Sequence, residues 1–80
     1  MYIVVYDIGD NRQLQRVARL LEKKGGVRAQ NSLFEFQEYK LAKEGMEESL
    51  KLLSPEDRCF LFRVTGKEDL HGSSSPERIY

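Results

Sequence analysis

Residues Tyr2–Asp7 read Tyr-Ile-Val-Val-Tyr-Asp, and no other stretch limits the fold so strongly. Three β-branched residues between two tyrosines favour a strand, with apolar groups on both of its faces. Such a strand belongs in the middle of a sheet, covered on each side. The chain has only 80 residues, room for one domain. At that size about 60–65% of the unfolded surface is buried on folding, so a single core is marginal. What covers the second face of the sheet is therefore the first question the sequence poses.

Gly9 breaks the strand, and Asp10 or Asn11 caps a helix that runs to about residue 24. Leu14, Val17, Ala18 and Leu21 stand on it at i, i+3, i+4 and i+7, one apolar stripe, and Arg12, Arg16 and Arg19 fall off that stripe. Gly25-Gly26 ends the helix, because Gly accepts the left-handed conformation after the last turn. Residues 27–36 carry a second strand signal in Leu33, Phe34 and Phe36. Gln30-Asn31-Ser32 interrupts it and reads as a sharp bend or tight turn between two short strands.

A second helix is expected from Tyr39 to Leu53, with Ala42, Met46, Leu50 and Leu53 at helical spacing. Gly45 weakens it by about 1 kcal/mol relative to Ala. Ser54-Pro55-Glu56-Asp57 stops it, and residues 58–64, centred on Cys-Phe-Leu-Phe, form the next strand. Residues 1–66 then make the domain. Residues 67–80 are a polar tail that reads as a flexible loop, and residues 77–80 within it are short for an element.

The order β-α-β-β-α-β is the ferredoxin-like plan, an α+β fold with a four-stranded antiparallel sheet and two helices on one face. Two helices leave the other face bare, although the first strand puts apolar side chains there as well. A second copy packed sheet to sheet, a homodimer, answers the opening question.

Composition closes several classes. With 40% hydrophobic and 32% charged residues the chain is ordinary globular material. Its apolar run at residues 3–6, even with Met1 and Tyr2 before it, is far short of the roughly 20 residues that span a bilayer. No basic segment followed by an apolar stretch opens the chain, so a cytoplasmic protein without a membrane partner is the simplest expectation. Cys59 is the one cysteine, which excludes an internal disulfide framework and a cysteine zinc cage.

Net charge is zero, yet its distribution is uneven. Residues 11–30 hold six basic side chains (Arg12, Arg16, Arg19, Lys23, Lys24, Arg28) and one acid, Glu22, whereas residues 35–57 hold seven acids and three lysines. The first helix and its turn therefore form a basic patch. It reads either as a phosphate-binding surface or as an ordinary solvated helix face.

Most catalytic templates are missing: there is no Gly-rich phosphate loop, nucleophile elbow or HExxH. His71 and the three serines 73–75 sit in the polar tail and read as loop. Cys59 lies between apolar neighbours and reads as a small buried apolar residue. Asp7 is different, because it ends a hydrophobic strand in register with Ile3 and Val5. It either caps the turn Ile8-Gly9-Asp10 or, doubled across a two-fold axis, supplies two carboxylates to one divalent ion. Mg²⁺ takes one or two carboxylates with waters completing an octahedron, so a pair suffices and a single Asp is poor.

Tyr6-Asp7-Ile8 closing the first strand, an arginine-bearing helix, and Gln30-Asn31-Ser32-Leu33-Phe34-Glu35 together resemble the small CRISPR-associated adaptation proteins of the Cas-two family. The resemblance covers residues 1–64. It implies a homodimer of ferredoxin-like subunits, Mg²⁺ shared between two copies of Asp7, and metal-dependent endonuclease activity on RNA or DNA. It also implies a place beside the Cas-one integrase in spacer acquisition, and a C-terminal segment, here within residues 67–80, that adds a strand to the partner subunit. Carried over residue by residue, Asp7 matches the metal-binding acid and Tyr6 the aromatic beside it. Arg16, Arg28 and Phe34 match positions tied to activity or substrate contact, so Asp7, Tyr6 and Phe34 are the expected catalytic set. Arg12, Arg16, Arg19 and Arg28 are the expected nucleic-acid contacts. Phe36 departs from the pattern, which has Gly there. The alternatives are a non-catalytic DNA-binding dimer that serves the integrase, a toxin-like ribonuclease of the same fold, and a small-ligand regulatory module.

Overall fold

A computed structural model describes residues 1–65 and 76–79. His71, the serines 73–75 and most of the tail expected after residue 66 lie outside the described residues. The elements run in the order β1 (Tyr2–Asp7), α1 (Asn11–Lys23), β2 (Val27–Gln30), β3 (Leu33–Phe36), α2 (Tyr39–Leu50), β4 (Arg58–Val64) and β5 (Pro76–Arg78). This is the ferredoxin-like plan with one strand added. The sheet order is β2-β3-β1-β4-β5, antiparallel at every junction. The segment expected to be flexible or to join a partner contributes, at Pro76–Arg78, a strand on β4 of its own chain.

β1 is central, as its sequence requires. It pairs with β3 from Tyr2↔Phe36 to Val5↔Leu33 and with β4 from Tyr2↔Arg63 to Asp7↔Arg58. Successive side chains alternate between faces. Val4 and Tyr6 are buried beneath the helices, while Ile3 and Val5 stay partly open on the other side. Both helices lie on the Val4–Tyr6 side, α2 over β1 and β4 and α1 beside it towards β2. The core between the layers is Val4, Tyr6, Ile8, Val17, Ala18, Leu21, Phe34, Phe36, Ala42, Met46 and Leu61.

α1 begins where Asp10 accepts the backbone N–H groups of Arg12 (2.8 Å) and Gln13 (3.3 Å), the arrangement that satisfies orphan donors at a helix start. It ends in a Schellman motif. Gly25, at φ 97°, donates to Glu22 O (3.0 Å) and Gly26 to Leu21 O (2.9 Å). Ser49 Oγ, fully buried in α2, donates to Gly45 O at 2.7 Å and so is satisfied.

α2 differs from expectation at two points. It stops at Leu50 rather than Leu53, because Lys51, Leu52 and Leu53 donate three residues back and tighten into a turn. Its buried face is Ala42, Gly45, Met46 and Ser49, and Leu50 is 47% exposed. Gly45 is more than the weak spot its helix propensity suggests. A Cβ there would stand 2.9 Å from Leu21 Cδ2, so its absence lets α1 and α2 approach.

Phe36 ties this packing together. A Cβ on Gly26 would meet its Cζ at 2.6 Å, its Cε1 at 2.9 Å and Leu21 O at 3.0 Å. A Cβ on Gly45 would stand 3.7 Å from the same Cζ. A bulky residue at position 36 is thus accommodated by glycines on two other elements.

Gly26→Ala should lower stability by about 1–3 kcal/mol in urea unfolding, since the blocking atoms are a buried ring and a carbonyl. Adding Phe36→Leu should recover part of that loss, and equal loss in the single and double variants would contradict this packing.

Candidate metal and nucleic-acid site

The two motifs singled out in the sequence meet at Tyr6. Its backbone N–H donates to Ser32 O at 3.1 Å and its hydroxyl to Asn31 O at 3.1 Å. The polar break in the Gln-Asn-Ser-Leu-Phe-Glu run therefore forms the β2–β3 turn and anchors the end of β1. The ring of Tyr6 is 2% exposed and stacks on Phe34, which is fully buried, at 6.2 Å between centroids. Arg28, on β2, lays its guanidinium over the same Phe34 ring, 5.4 Å from the centroid.

This placement divides the expected catalytic set between the two faces of the sheet. Asp7 is exposed at the end of β1, and its alternation with Val4 and Tyr6 turns it to the sheet face without helices. Tyr6 and Phe34 lie on the opposite, helix-covered face, where a buried ring cannot touch a phosphate. Their contribution in this arrangement is to hold the strand end from which Asp7 projects. Tyr6 and Asp7 are neighbours along the chain, but strand alternation divides them between two faces.

The face around Asp7 is built by cross-strand partners. Ile3 lies opposite Phe62 and Glu35, and Val5 opposite Phe60 and Leu33. The rings of Phe60 and Phe62 stand 6.2 Å apart, tilted by 48°. Among the described residues no helix crosses this surface, and its apolar side chains are only partly covered. Among the described residues no group of three or more His, Cys, Asp or Glu side chains converges on one point. The exposed Asp7 carboxylate offers the hard oxygen that Mg²⁺ prefers, but one such group is a partial shell. The donor chemistry fits a divalent ion once a second carboxylate or phosphate oxygens complete it.

The arginines form two sets. Arg12, Arg16 and Arg19 are exposed and stand at i, i+4 and i+7 on α1, and exposed Lys23 continues the row. Their row runs along the side of α1 opposite its buried residues Val17, Ala18 and Leu21. Lys24 departs from the row by pairing with Glu48 on α2, and that hydrogen bond raises its pKa. Arg28 belongs with Phe34 and the β2 edge. Arg12 lies nearest Asp7 along the chain, beyond the Ile8–Asp10 connection, but the row and Asp7 face different directions.

Two residues near Asp7 carry no signal in the sequence. Asp57 accepts Gly9 N–H (3.2 Å) and Ser54 N–H (2.8 Å), clamping the β1–α1 loop to the turn before β4. Arg58, the next residue, is exposed and stands directly opposite Asp7 in the β1–β4 register. A motif search has no reason to stop at either, because both connections span about fifty positions of chain and exist only after β1 and β4 pair. Cys59, opposite Tyr6, is partly covered, and burial pushes its thiol up to about 11, consistent with an unreactive packing residue.

Residues 1–71 match the family described as CRISPR associated protein Cas2. Among solved structures, the fold is similar to that of a hypothetical protein, TT1823, from Thermus thermophilus. The two share 30% identity with a TM-score of 0.73, over 95% of each chain. No curated protein matches the sequence. Among the described residues no helix is long and apolar enough to cross a membrane.

Proposed function

The chain belongs to the CRISPR-associated Cas2 family, and from that premise we propose that it works as a homodimer that binds nucleic acid and cleaves it with a divalent ion held by two copies of Asp7. The observation that carries this reading is the position of Asp7 at the exposed end of a central strand, on the sheet face opposite both described helices. Sheet-to-sheet packing of two copies buries Ile3, Val5, Leu33, Phe60 and Phe62 and brings both carboxylates towards the dimer centre. At about 25 cal/mol for each Å² of apolar surface removed from water, that burial reinforces a core that is marginal alone.

Each part of the chain then has a role. The two Asp7 carboxylates would hold the ion. The ion supplies Lewis-acid polarisation of the phosphodiester and a more acidic bound water. Tyr6, bonded to Asn31 and Ser32, keeps the strand end in place, and Asp57 does the same for the loop that follows. The helices lie outside such a dimer, so the rows Arg12–Arg16–Arg19 face outward and grip backbone phosphates. Nothing in that row is built to read base edges, so binding is general in sequence.

The arginine row also favours a second reading, a DNA-holding scaffold beside the Cas-one integrase, in which cleavage is incidental. Cleavage assays and binding assays separate the two.

Sedimentation equilibrium at micromolar concentration should give the dimer mass, and a folded monomer there would falsify the shared-ion site. Nuclease activity in Mg²⁺ should vanish in EDTA and in Asp7→Asn, while the variant melts within about 0.5 kcal/mol of the parent, as exposed substitutions do. Undiminished cleavage by Asp7→Asn would remove Asp7 from the reaction. Replacing Arg16 and Arg28 with Ala should weaken binding to unrelated duplexes alike and flatten the salt dependence by roughly 0.9 log unit for each phosphate no longer neutralised. An unchanged slope would reduce Arg16 and Arg28 to solvated surface residues.

A further inference from the structure

The β1–β4 ladder ends in a pair of opposite charges. On the uncovered face its rungs are Ile3 with Phe62, Val5 with Phe60, and then Asp7 with Arg58. Partners directly opposite in an antiparallel ladder project to the same face with Cβ atoms about 5 Å apart. Asp7 and Arg58 are both exposed, whereas the apolar rungs beside them are partly covered. The carboxylate assigned to the ion therefore has a permanent cation as its nearest cross-strand neighbour, at the polar margin of an apolar surface. The Asp57 clamp on Gly9 and Ser54 holds the chain immediately before Arg58 and just after Asp7, which keeps the two strand ends in register.

We propose that Arg58 is a second substrate-contacting residue of the Asp7 site: a cross-strand cation beside Asp7 in the free protein, not bonded to it, and donor to non-bridging phosphate oxygens once nucleic acid is bound. This inference rests on the reading of Asp7 as the ligand of a divalent ion. A guanidinium only donates, and its planar fork matches phosphate as well as carboxylate. In the free dimer two arginines balance two aspartates, so a divalent ion enters against their repulsion. A phosphodiester draws the guanidinium onto its own oxygens and adds ligands for the ion. Ion and nucleic acid consequently favour one another's binding, and by linkage each raises the other's affinity by the same factor.

The sign of one measurement separates this role from that of an ordinary surface arginine. Mn²⁺ binding to the full chain, followed by the EPR signal of the free ion at low salt and without nucleic acid, should tighten about five- to tenfold in Arg58→Ala. It should stay within about twofold of the parent in Arg58→Lys, which keeps the charge, and the gain should shrink as salt screens the pair. Damage to the fold cannot imitate tighter binding. In EDTA, Arg58→Ala should also lose duplex affinity, with a shallower salt dependence. Asp7→Asn serves as the reference. If it abolishes Mn²⁺ binding while Arg58→Ala leaves affinity unchanged or weaker, the role of Arg58 is overturned and the Asp7 reading stands. If Asp7→Asn binds Mn²⁺ as the parent does, or no variant binds it, the Asp7 reading falls and this inference falls with it.

Discussion

β1 is hydrogen-bonded along both edges, to β3 and to β4, and every feature of the candidate site is positioned by that double pairing. Because the side-chain period of a strand is two, the same pairing that sends Val4 and Tyr6 into the core sends Ile3, Val5 and Asp7 out of the other face. A slip of one residue would bury the Asp7 carboxylate and expose Tyr6. The cost of burying an unpaired carboxylate excludes that register, so the position of Asp7 is a consequence of the core itself. The placement of Asp7 and the hydrophobic layer are two readings of one alternation.

Around this strand, the elements that look decorative in the sequence act as fixings. Asn31 and Ser32 do not merely allow a turn; their carbonyls receive the hydroxyl and the N–H of Tyr6 and hold the end of β1. Asp57 joins the two loops at the same end of the sheet. Phe36, the departure from the family pattern, fills space that Gly26 and Gly45 leave open. An interior packed to crystal-like density cannot absorb such a ring without compensation, and the compensation is found on α2 and on the turn after α1.

The charges follow the same logic of faces. Arg12, Arg16 and Arg19 recur at helical spacing opposite the buried side of α1, so they gather into one outward row although the chain is neutral overall. Arg28 is drawn to the Phe34 ring instead and Lys24 to Glu48, which removes both from that row. An uneven charge distribution along a chain becomes a surface only where the helix phase aligns it.

Much of this is legible in the sequence because it is local. Strand β1, the Asp10 cap, the glycine stop after α1, the Asn31-Ser32 turn and the exposure of Asp7 depend on residues within a few positions of each other, whose preferences the chain itself states. The end of α2 is not legible in this way: Leu50 and Leu53 are apolar and suggest a longer helix, whereas the buried face runs through Ala42, Gly45, Met46 and Ser49, with Gly45 against Leu21 of α1. The burial of Phe34, the Tyr6–Asn31 bond, the Asp57 clamp, the Asp7–Arg58 rung and the strand at Pro76–Arg78 were decided only by the tertiary structure. The reason is physical: local preference sets which residues extend or coil, but a contact across twenty-five or forty-eight positions exists only once two strands have chosen their register.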